Sequence, residues 1–382
     1  MPMMWTHSDD SRTSDPDAPV VIRFPALGDA VLLTPLLAAL ARRYGRPVHL
    51  LTSGAWTPIV LGHDPAVGEI RSVSSRRAPY WLTPSQWTAV RWLRAHRGPI
   101  YLCERDEHAA RLLARAGLPA GRIVRAWDHH PAQPIHWADW WLQVARLDAP
   151  DCPGPHDDRP DIAPLPRLHA PAEWTVQTRE WLAQRGLAGR ALVLIQPGNK
   201  KTHKRGRIAT AAHDKHWPSG HWAEVIRGVL AGLPGAAVLV CGSPREAGLV
   251  QEIVDATGAG ADQVLNIARE APLPRLVGLA ALAHSMISVD TGPAHVAGAM
   301  DCPLVVLYGR FGWLRWVPRT AGASVVPLGP REPDERARLL DLTPAAVLAA
   351  WHTLRPRATA APVRSGHPLP QAADAAALRT PA

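Results

Sequence analysis

Four short segments of the sequence combine charged side chains with small residues, and each follows an apolar run that is typical of a buried strand. The four segments are Gly28 with Asp29, Gln196 to Trp217, Gly242 to Glu246, and Asp290 to Pro293. A carboxylate at such a position could act as a general base, and a lysine could bind phosphate as a point charge. Since ligands of parallel sheets bind at the carboxyl ends of the strands, we expect all four segments to face one site.

The stretch from Met286 to Met300, MISVDTGPAHVAGAM, carries the most geometric information. An apolar strand stops at Asp290, a turn of small residues follows, and a helix of small residues begins at Ala294. In this geometry the backbone N–H groups and the helix dipole point at an anion. Pro293 suits the first helical position, and Gly292 lets a ligand approach the backbone closely. The stretch predicts a turn that holds the diphosphate of a nucleotide-sugar, although an ordinary strand-to-helix connection has the same local pattern.

The other segments also have structural alternatives. Asp29 could cap a helix as well as act as a base, because the helix dipole favours a carboxylate near the N-terminus. Glu246 could bind a ribose hydroxyl or only complement a helix end in the same way. The basic run KKTHKRGR, which begins with Lys200 and Lys201, could bind phosphate, lie in solvent as a loop, or contact nucleic acid.

The chain as a whole is long and basic. It has 382 residues, a net charge of +9, a pI near 10.0 and 47% hydrophobic residues. The length predicts two domains. The charge favours an acidic partner, which could be a phosphorylated substrate, nucleic acid or an anionic membrane surface. The four cysteines are far apart and form no CxxC pair, which fits a reducing cytosol.

Several classes of protein lack support in the sequence. It contains no GxxxxGK[ST], no GxGxxG after the first strand and no GxSxG, which disfavours a P-loop NTPase, a dinucleotide oxidoreductase and a serine hydrolase. His213, His216 and His221 do not have a usual zinc spacing, so we expect neither a metal nor another cofactor. Because no signal peptide and no run of 18 apolar residues is apparent, we expect a cytoplasmic protein that can lie peripherally on the inner membrane.

The alternation of strand-sized and helix-sized segments predicts an α/β fold with parallel, doubly wound sheets. A proline-rich linker at 151–172 separates a Rossmann-like domain at 19–150 from a second one at 173–355, and the two face a cleft. Residues 1–18 and the Ala- and Pro-rich tail at 356–382 are expected to be disordered.

Some local predictions concern single elements. We expect the first strand at Val20–Phe24, one helix from the Gly28 turn to Tyr44, and a later helix in which Ser219 is the N-cap. Tryptophan is unusually frequent, with sixteen residues against two phenylalanines. Trp81, Trp87 and Trp92 lie near three arginines in the sequence and predict either an amphipathic interfacial surface or ordinary packing. The three arginines are Arg91, Arg94 and Arg97.

Taken together, the segments resemble glycosyltransferase family 9, the ADP-heptose:lipopolysaccharide heptosyltransferases. The matching pieces are Arg23 with LGDAVLLTP at 27–35, KHWP at 215–218 with Trp222, Gly242 and Ser243 with Glu246, SVDTGPAH at 288–295, and Tyr308 with Gly309. The resemblance implies a two-domain GT-B fold, with the acceptor domain first and the nucleotide-sugar donor domain second. It also implies an inverting, metal-independent transfer of a heptose or related sugar, with ADP-heptose as the expected donor and a lipopolysaccharide core or related glycan as the acceptor.

The resemblance also implies roles for single residues. It makes Asp29 the catalytic base and Lys215 the catalytic lysine that neutralises the donor phosphates. The expected donor-binding residues are Gly28, Asn199, Lys200, Lys201, Lys215, Ser243, Glu246, Asp290, Thr291, Gly292 and His295. The implied partners are a nucleotide-sugar, a phosphorylated lipid-linked glycan and an anionic membrane surface, without nucleic acid. A non-catalytic protein that binds nucleotides or nucleic acid is the alternative, with the KKTHKRGR run on phosphate.

Overall fold

The structure is a computed structural model that describes residues 15–74, 79–155, 162–199 and 215–355, and the backbone of 203–204 and 207–208. Most of the predicted N-terminal lead-in and the whole of the predicted tail therefore lie outside the described residues. The end of the lead-in contacts the fold, since Asp15 forms an ion pair with Arg46 at 2.9 Å and Asp17 forms one with Arg97 at 2.8 Å.

The first half of the chain forms a parallel sheet with helices on both faces. Its elements are β1 (Val20–Ile22), α1 (Leu27–Leu32), α2 (Thr34–Tyr44), β2 (Val48–Thr52), α3 (Trp56–Leu61), β3 (Val67–Ser72), α4 (Pro84–Ala95), β4 (Ile100–Leu102), α5 (Glu107–Ala116), β5 (Ile123–Arg125) and α6 (Trp137–Val144). The strand order is β3-β2-β1-β4-β5. The central strands are buried throughout because helices cover both sheet faces.

The second half repeats this architecture. Its elements are α7 (Ala172–Ala183), β6 (Leu192–Gln196), β7 (His203–Lys204), β8 (Arg207–Ile208), α8 (Ser219–Gly232), β9 (Ala237–Val240), α9 (Ala247–Thr257), β10 (Val264–Asn266), α10 (Leu273–Leu282), β11 (Ser285–Val289), α11 (Gly292–Ala299), β12 (Leu304–Leu307), β13 (Val325–Leu328) and α12 (Pro344–His352). The parallel sheet has the order β10-β9-β6-β11-β12-β13, and β7 pairs with β8 in an antiparallel hairpin. The predicted α/β class with two parallel sheets is confirmed.

The helix after the first turn is broken in two, so the prediction of one helix is wrong. Pro35 lacks the N–H that would reach the carbonyl of Val31, and the hydroxyl of Thr34 donates to that carbonyl instead, at 2.9 Å. The same hydroxyl accepts the backbone N–H of Arg167 at 3.0 Å. This contact attaches the proline-rich stretch to the break between α1 and α2.

Three other boundaries also differ from prediction. β1 ends at Ile22, before the predicted end. Ser219 is the first residue of α8, and Pro218 takes the N-cap position without a side-chain hydrogen bond. Pro293 takes the second position of α11 because Gly292 already has helical geometry. These shifts move element ends by one or two residues and leave the predicted strand-end segments at the strand ends.

Candidate active site

A cavity of about 490 Å³ lies between the two halves of the chain, where both sheets present the carboxyl ends of their strands. In the second sheet the chain reverses its strand order between β6 and β11, which pair side by side. Loops on either side of such a reversal diverge, so a crevice forms outside the strand ends. Residues from the first half, including Ala26, Leu27 and Gly28, form the opposite wall.

Lys215 and Asp290 form the charged centre of the cavity wall. The ammonium group of Lys215 donates to the Asp290 carboxylate at 2.5 Å and to the backbone carbonyl of the same residue at 2.8 Å. Both side chains are mostly withdrawn from solvent. The pair fixes a cation beside the end of β11, where it can attract an anionic group in the cavity.

The start of α11 adds a second feature that favours anions. Thr291 is the N-cap and Gly292 the first helical residue, and both line the cavity. The first N–H groups of a helix have no partner within the helix, and the helix dipole is positive at that end. The predicted strand, turn and helix N-terminus is therefore present, and it opens into the cavity.

Glu246 is buried in the cavity wall near the end of β9. One of its carboxylate oxygens accepts the backbone N–H of Ser243 at 2.8 Å and the hydroxyl of Ser243 at 2.7 Å. The contact is a capping arrangement at the helical turn that precedes α9. It holds the carboxylate in one orientation at the cavity surface. The same geometry is therefore compatible with Glu246 as a helix cap and with Glu246 as a ligand for a ribose hydroxyl.

Gly28 and Gly292 allow the two halves to approach closely beside the cavity. A Cβ atom on Gly28 would lie 2.6 Å from Cδ2 of His295, and one on Gly292 would lie 2.8 Å from Cβ of Leu27. Contacts shorter than 3 Å between carbon atoms are strongly repulsive. Helix α1 therefore packs directly on α11, with backbone in place of side chains at the contact.

Asp29 lies one residue beyond this wall, in the first turn of α1. Its carboxylate accepts the backbone N–H of Ala26 at 3.2 Å. The capping role that the sequence left open is thus present in the structure. The residue is half-buried between the cavity wall and His295, and its catalytic role stays a prediction.

His295 is buried between the two halves and does not line the cavity. Burial lowers the pKa of its imidazole, the negative charges of Asp290 and Asp29 oppose this effect, and the positive charge of Lys215 adds to it. The ring is therefore surrounded by the groups that were predicted to do the chemistry. The structure places His295 behind the cavity wall, and its predicted role in donor binding stays a prediction.

Several cavity residues were not singled out from the sequence. Cys241, Ala271, Leu273 and Leu276 make one part of the wall apolar, and Trp56 of α3 contributes an indole from the other half. A Cβ on Gly54 would lie 2.6 Å from the Trp56 ring, so the glycine makes room for it. These residues carry no motif: Trp56 and Leu273 are the first residues of α3 and α10, and Cys241 directly follows β9.

Asn199 is buried and lines the cavity, next to a turn in which the Gln196 amide donates to the carbonyl of Gly198 at 2.8 Å. Lys200 and Lys201 lie outside the described residues, and their role stays a prediction. Within the described ranges, no group of three or more His, Cys, Asp or Glu side chains could hold a metal ion.

A second contact region joins the halves through the segment after β12. Arg319 donates to both carboxylate oxygens of Asp139 on α6, at 2.8 and 2.6 Å, and to the carbonyl of Pro164 at 3.0 Å. The ring of His136, the N-cap of α6, lies 2.8 Å from the Val317 carbonyl and accepts the N–H of Ala138 at 3.1 Å. Burial lowers the pKa of His136 to about 4, and the charge of Arg319 acts in the same direction.

Comparison with known proteins gives this geometry a context. The family model "Glycosyltransferase family 9 (heptosyltransferase)" matches residues 175–338, which contain Lys215, Glu246 and Asp290. The match places residues 175–338 in glycosyltransferase family 9. Lipopolysaccharide heptosyltransferase 3 of Escherichia coli is 26% identical over 307 residues, which cover 76% of this chain and 83% of the relative. Lipopolysaccharide heptosyltransferase 2 of Salmonella typhimurium is 31% identical over 150 residues, 37% of this chain and 42% of that protein.

Solved structures of family 9 glycosyltransferases share the fold. One from Veillonella parvula has a TM-score of 0.69 at 19% identity and covers 88% of this chain and 96% of that one. Escherichia coli ADP-heptose heptosyltransferase II has a TM-score of 0.63 at 21% identity, with 88% and 97% covered. The predicted GT-B fold is confirmed. Within the described parts of the chain, no helix is long and apolar enough to cross a membrane.

Proposed function

We propose that this family 9 glycosyltransferase transfers a heptose, or a related sugar, from a nucleotide-sugar to a lipopolysaccharide core or related glycan with inversion at the anomeric carbon. The observation that carries the proposal is the pairing of Lys215 with Asp290 at the entrance to α11, across the cavity from Gly28, the residue that precedes Asp29. Such a cleft presents cationic groups on one side and a carboxylate close to the other. The similarity to lipopolysaccharide heptosyltransferases supports a heptosyl donor and a lipopolysaccharide acceptor.

In the proposed reaction, Asp29 removes the proton of an acceptor hydroxyl. The hydroxyl oxygen attacks the anomeric carbon from the face opposite the nucleotide, and the bond between that carbon and the diphosphate breaks. One bond forms as the other breaks, so the configuration is inverted. The proton stays on Asp29 until solvent removes it. General-base assistance of this kind contributes about 10²- to 10⁴-fold to a rate.

The leaving diphosphate gains negative charge as the bond breaks. The ammonium of Lys215 and the first N–H groups of α11 would stabilise that charge, and both are held in position before the reaction starts. Asp290 would keep Lys215 in place and accept a hydrogen bond from a sugar hydroxyl. These groups supply the positive charge that a metal ion supplies in other transferases, and metal independence is part of the proposal.

The nucleoside would occupy the part of the cavity near β9. Glu246, held by Ser243, can accept hydrogen bonds from two ribose hydroxyls, and the apolar wall near Leu273 and Leu276 can pack against a base. We propose ADP as the nucleotide because a solved structure of an Escherichia coli heptosyltransferase contains ADP-2-deoxy-2-fluoro heptose. That protein is 17% identical to this chain, with a TM-score of 0.56.

The acceptor would be a phosphorylated, lipid-linked glycan presented at the cytoplasmic face of the inner membrane. The net charge of +9 complements such an acceptor and anionic lipid. In the proposed arrangement, the acceptor enters from the first half of the chain, where Asp29 follows the end of β1 and its loop. Nucleic acid has no place in this function.

Two measurements test the proposal. A thermal-shift panel with ADP, UDP, GDP and dTDP should show the largest stabilisation with ADP, since a ligand at 100 times its Kd stabilises by about 2.7 kcal/mol. A preference for UDP or GDP would exclude ADP-heptose as the donor.

Incubation with ADP-heptose and a lipopolysaccharide core acceptor should then give a heptosylated product of inverted anomeric configuration. Retention of configuration would contradict the mechanism.

A further inference from the structure

Three large apolar side chains are exposed together at the start of α4. The exposed fractions are 69% for Trp81, 58% for Leu82 and 42% for Trp87. The sequence groups Trp92 with Trp81 and Trp87, but Trp92 is buried and its indole donates to Glu69 at 2.7 Å. Clustered exposed apolar residues mark interaction sites more often than scattered ones do.

The cluster is held in shape by its own contacts. The indole N–H of Trp87 donates to the carbonyl of Tyr80 at 2.6 Å, and the guanidinium of Arg115 lies 4.6 Å from the centre of the Tyr80 ring. The hydroxyl of Thr83 donates to the carbonyl of Pro79 at 2.9 Å. Because the polar group of Trp87 is bonded internally, the exposed part of its ring offers only apolar surface.

Positive charge continues from this cluster along the exposed face of α4. Arg91 follows Trp87 by four positions and Arg94 follows Arg91 by three, so the three side chains share one helix face, and all three are exposed. The sequence contains no Asp or Glu between Glu69 and Glu104. The carboxylate of Glu69 is paired with Arg71.

The carboxylates at the start of α5, the helix packed beside α4, have partners: Asp106 is the N-cap and accepts the N–H of His108 at 2.8 Å. Glu107, the first residue of α5, forms an ion pair with Arg111 one turn further on, at 3.4 Å. The exposed face therefore combines apolar side chains with a net positive charge.

The position of this face relates it to the cavity. The segment that contains Trp81 and Leu82 follows β3, and it therefore leaves the first sheet at the carboxyl edge, where the cavity also lies. In an α/β domain the loops at this edge surround the ligand site. A flat partner bound here would lie beside the entrance to the cleft.

We propose that this face binds the headgroup layer of an anionic lipid membrane. The face, here named the Trp81 surface, consists of Trp81, Leu82, Trp87, Arg91 and Arg94. Indole rings and aliphatic side chains enter the boundary between headgroups and acyl chains, while arginines bind lipid phosphates. The inference deepens the proposed function, which supplies a reason for the enzyme to visit a membrane, but lipid binding itself does not depend on the identity of the sugar.

Nucleic acid is the other polyanion that a basic, aromatic face could bind. Base stacking requires aromatic faces, and it gains little from an aliphatic side chain. The exposed Leu82 and the apolar edge of Trp87 fit a hydrocarbon boundary better. Binding of nucleic acid is therefore kept as an outcome that would overturn the proposal.

The test uses the full chain and co-sedimentation with vesicles. One vesicle type contains phosphatidylglycerol and phosphatidylethanolamine, and the other contains only phosphatidylcholine. We expect sedimentation with the first type, weakening as salt is added, and little with the second. The double variant Trp81→Ser with Trp87→Ser should lower the partition coefficient at least about tenfold, and Arg91→Gln with Arg94→Gln about 25-fold, since each arginine near the surface contributes about fivefold.

Phe311→Ser is the matched control. Phe311 is 46% exposed and lies beside an arginine, Arg310, whose guanidinium is 4.8 Å from the ring centre. Arg310 is paired with Glu335, and the surrounding sequence REPDER is rich in acids. Loss of this exposed aromatic should leave vesicle binding unchanged. Equal loss in the control and in the tryptophan variant would show that any exposed aromatic suffices, and would overturn the proposal.

Other outcomes also decide. Absence of wild-type sedimentation with anionic vesicles, or equal sedimentation of all variants, would refute the Trp81 surface. So would a gel shift with generic duplex DNA that the arginine variant abolishes, or a dimer in gel filtration that the tryptophan variant converts to a monomer. The ADP thermal shift is measured on the same samples. If that shift is missing while vesicle binding behaves as expected, the proposed function fails and the Trp81 surface stands.

Discussion

The two roles of Asp29 can be separated by a pair of substitutions. The structure shows its carboxylate accepting the Ala26 N–H at 3.2 Å, and the proposed mechanism makes the same carboxylate the general base. Asp29→Asn keeps an oxygen that can accept this hydrogen bond but cannot take up a proton at neutral pH. Asp29→Ala removes both functions. If Asp29 only caps the helix, Asp29→Asn should keep its transfer rate. If Asp29 is also the base, both variants should lose it.

The expected magnitudes follow from the two interactions. Loss of a general base should lower kcat about 10²- to 10⁴-fold in both variants. Loss of the capping contact should cost Asp29→Ala about 0.5–2 kcal/mol of unfolding free energy. Asp29→Asn should lose only the interaction of the charge with the dipole of α1, about 0.3–1 kcal/mol. Donor binding should be nearly unchanged in both, because Asp29 does not line the cavity.

The assay combines three measurements on each variant: single-turnover transfer from ADP-heptose, the urea midpoint, and the thermal shift caused by ADP. Thr343→Ala serves as the capping control, because the Thr343 hydroxyl accepts the N–H of Ala346 at the start of α12 at 3.2 Å, outside the cavity lining. It should lose stability without losing the transfer rate. If Asp29→Asn transfers sugar within about tenfold of wild type, Asp29 is a helix cap only and the base lies elsewhere.

Further predictions concern the lysine, the glycine contact and a buried histidine. Lys215→Met should lower kcat about 10²- to 10³-fold, as loss of one preorganised charge usually does, in transfer assays at saturating donor; an unchanged kcat would contradict its role. Gly292→Ala should raise the donor KM and destabilise by about 1–3 kcal/mol, because the added Cβ would lie 2.8 Å from Leu27, whereas Gly248→Ala, where nothing lies within 4 Å, should do neither. Burial lowers the pKa of His136 to about 4, so the unfolded chain takes up this proton first as the pH falls below about 6.5. In urea unfolding, the free energy of unfolding of wild type should then fall by about 2 kcal/mol more between pH 7 and pH 5 than that of His136→Asn. Equal decreases in the two proteins would contradict this.

The polar part of the site could be predicted because its residues follow strands. Glu246 and Asp290 lie near the ends of β9 and β11, and Lys215 lies in the connection between β6 and α8, so the parallel sheet collects all three at one edge. What the sequence could not give is the pairing of Lys215 with Asp290, since 75 positions separate them and only the folded sheet brings them together. The same holds for Trp56, which enters the cavity wall from the other half of the chain.

Local errors had local physical causes. The predicted helix from the Gly28 turn to Tyr44 breaks because Pro35 cannot donate to Val31, a consequence that periodicity alone does not reveal. The sequence left open whether the tryptophans near the arginines form an exposed interfacial surface or pack in the core, and the structure shows both. Trp92 faces the core and Trp87 faces solvent, as their positions on α4 require once one helix face is packed on the sheet.

The contact between α1 and α11 also has a mechanical consequence. At Gly28 and Gly292, main-chain atoms of one half of the chain meet the side chains of His295 and Leu27 from the other half, without a Cβ atom between them. Any closing motion of the two halves would be limited by this contact, because neither glycine has a side chain that could move aside. Displacement of a reacting group by about 1 Å can cost about 10²-fold in rate. In the proposed mechanism, the absence of these two Cβ atoms would set the distance between the carboxylate of Asp29 in one half and the sugar bound by the other half.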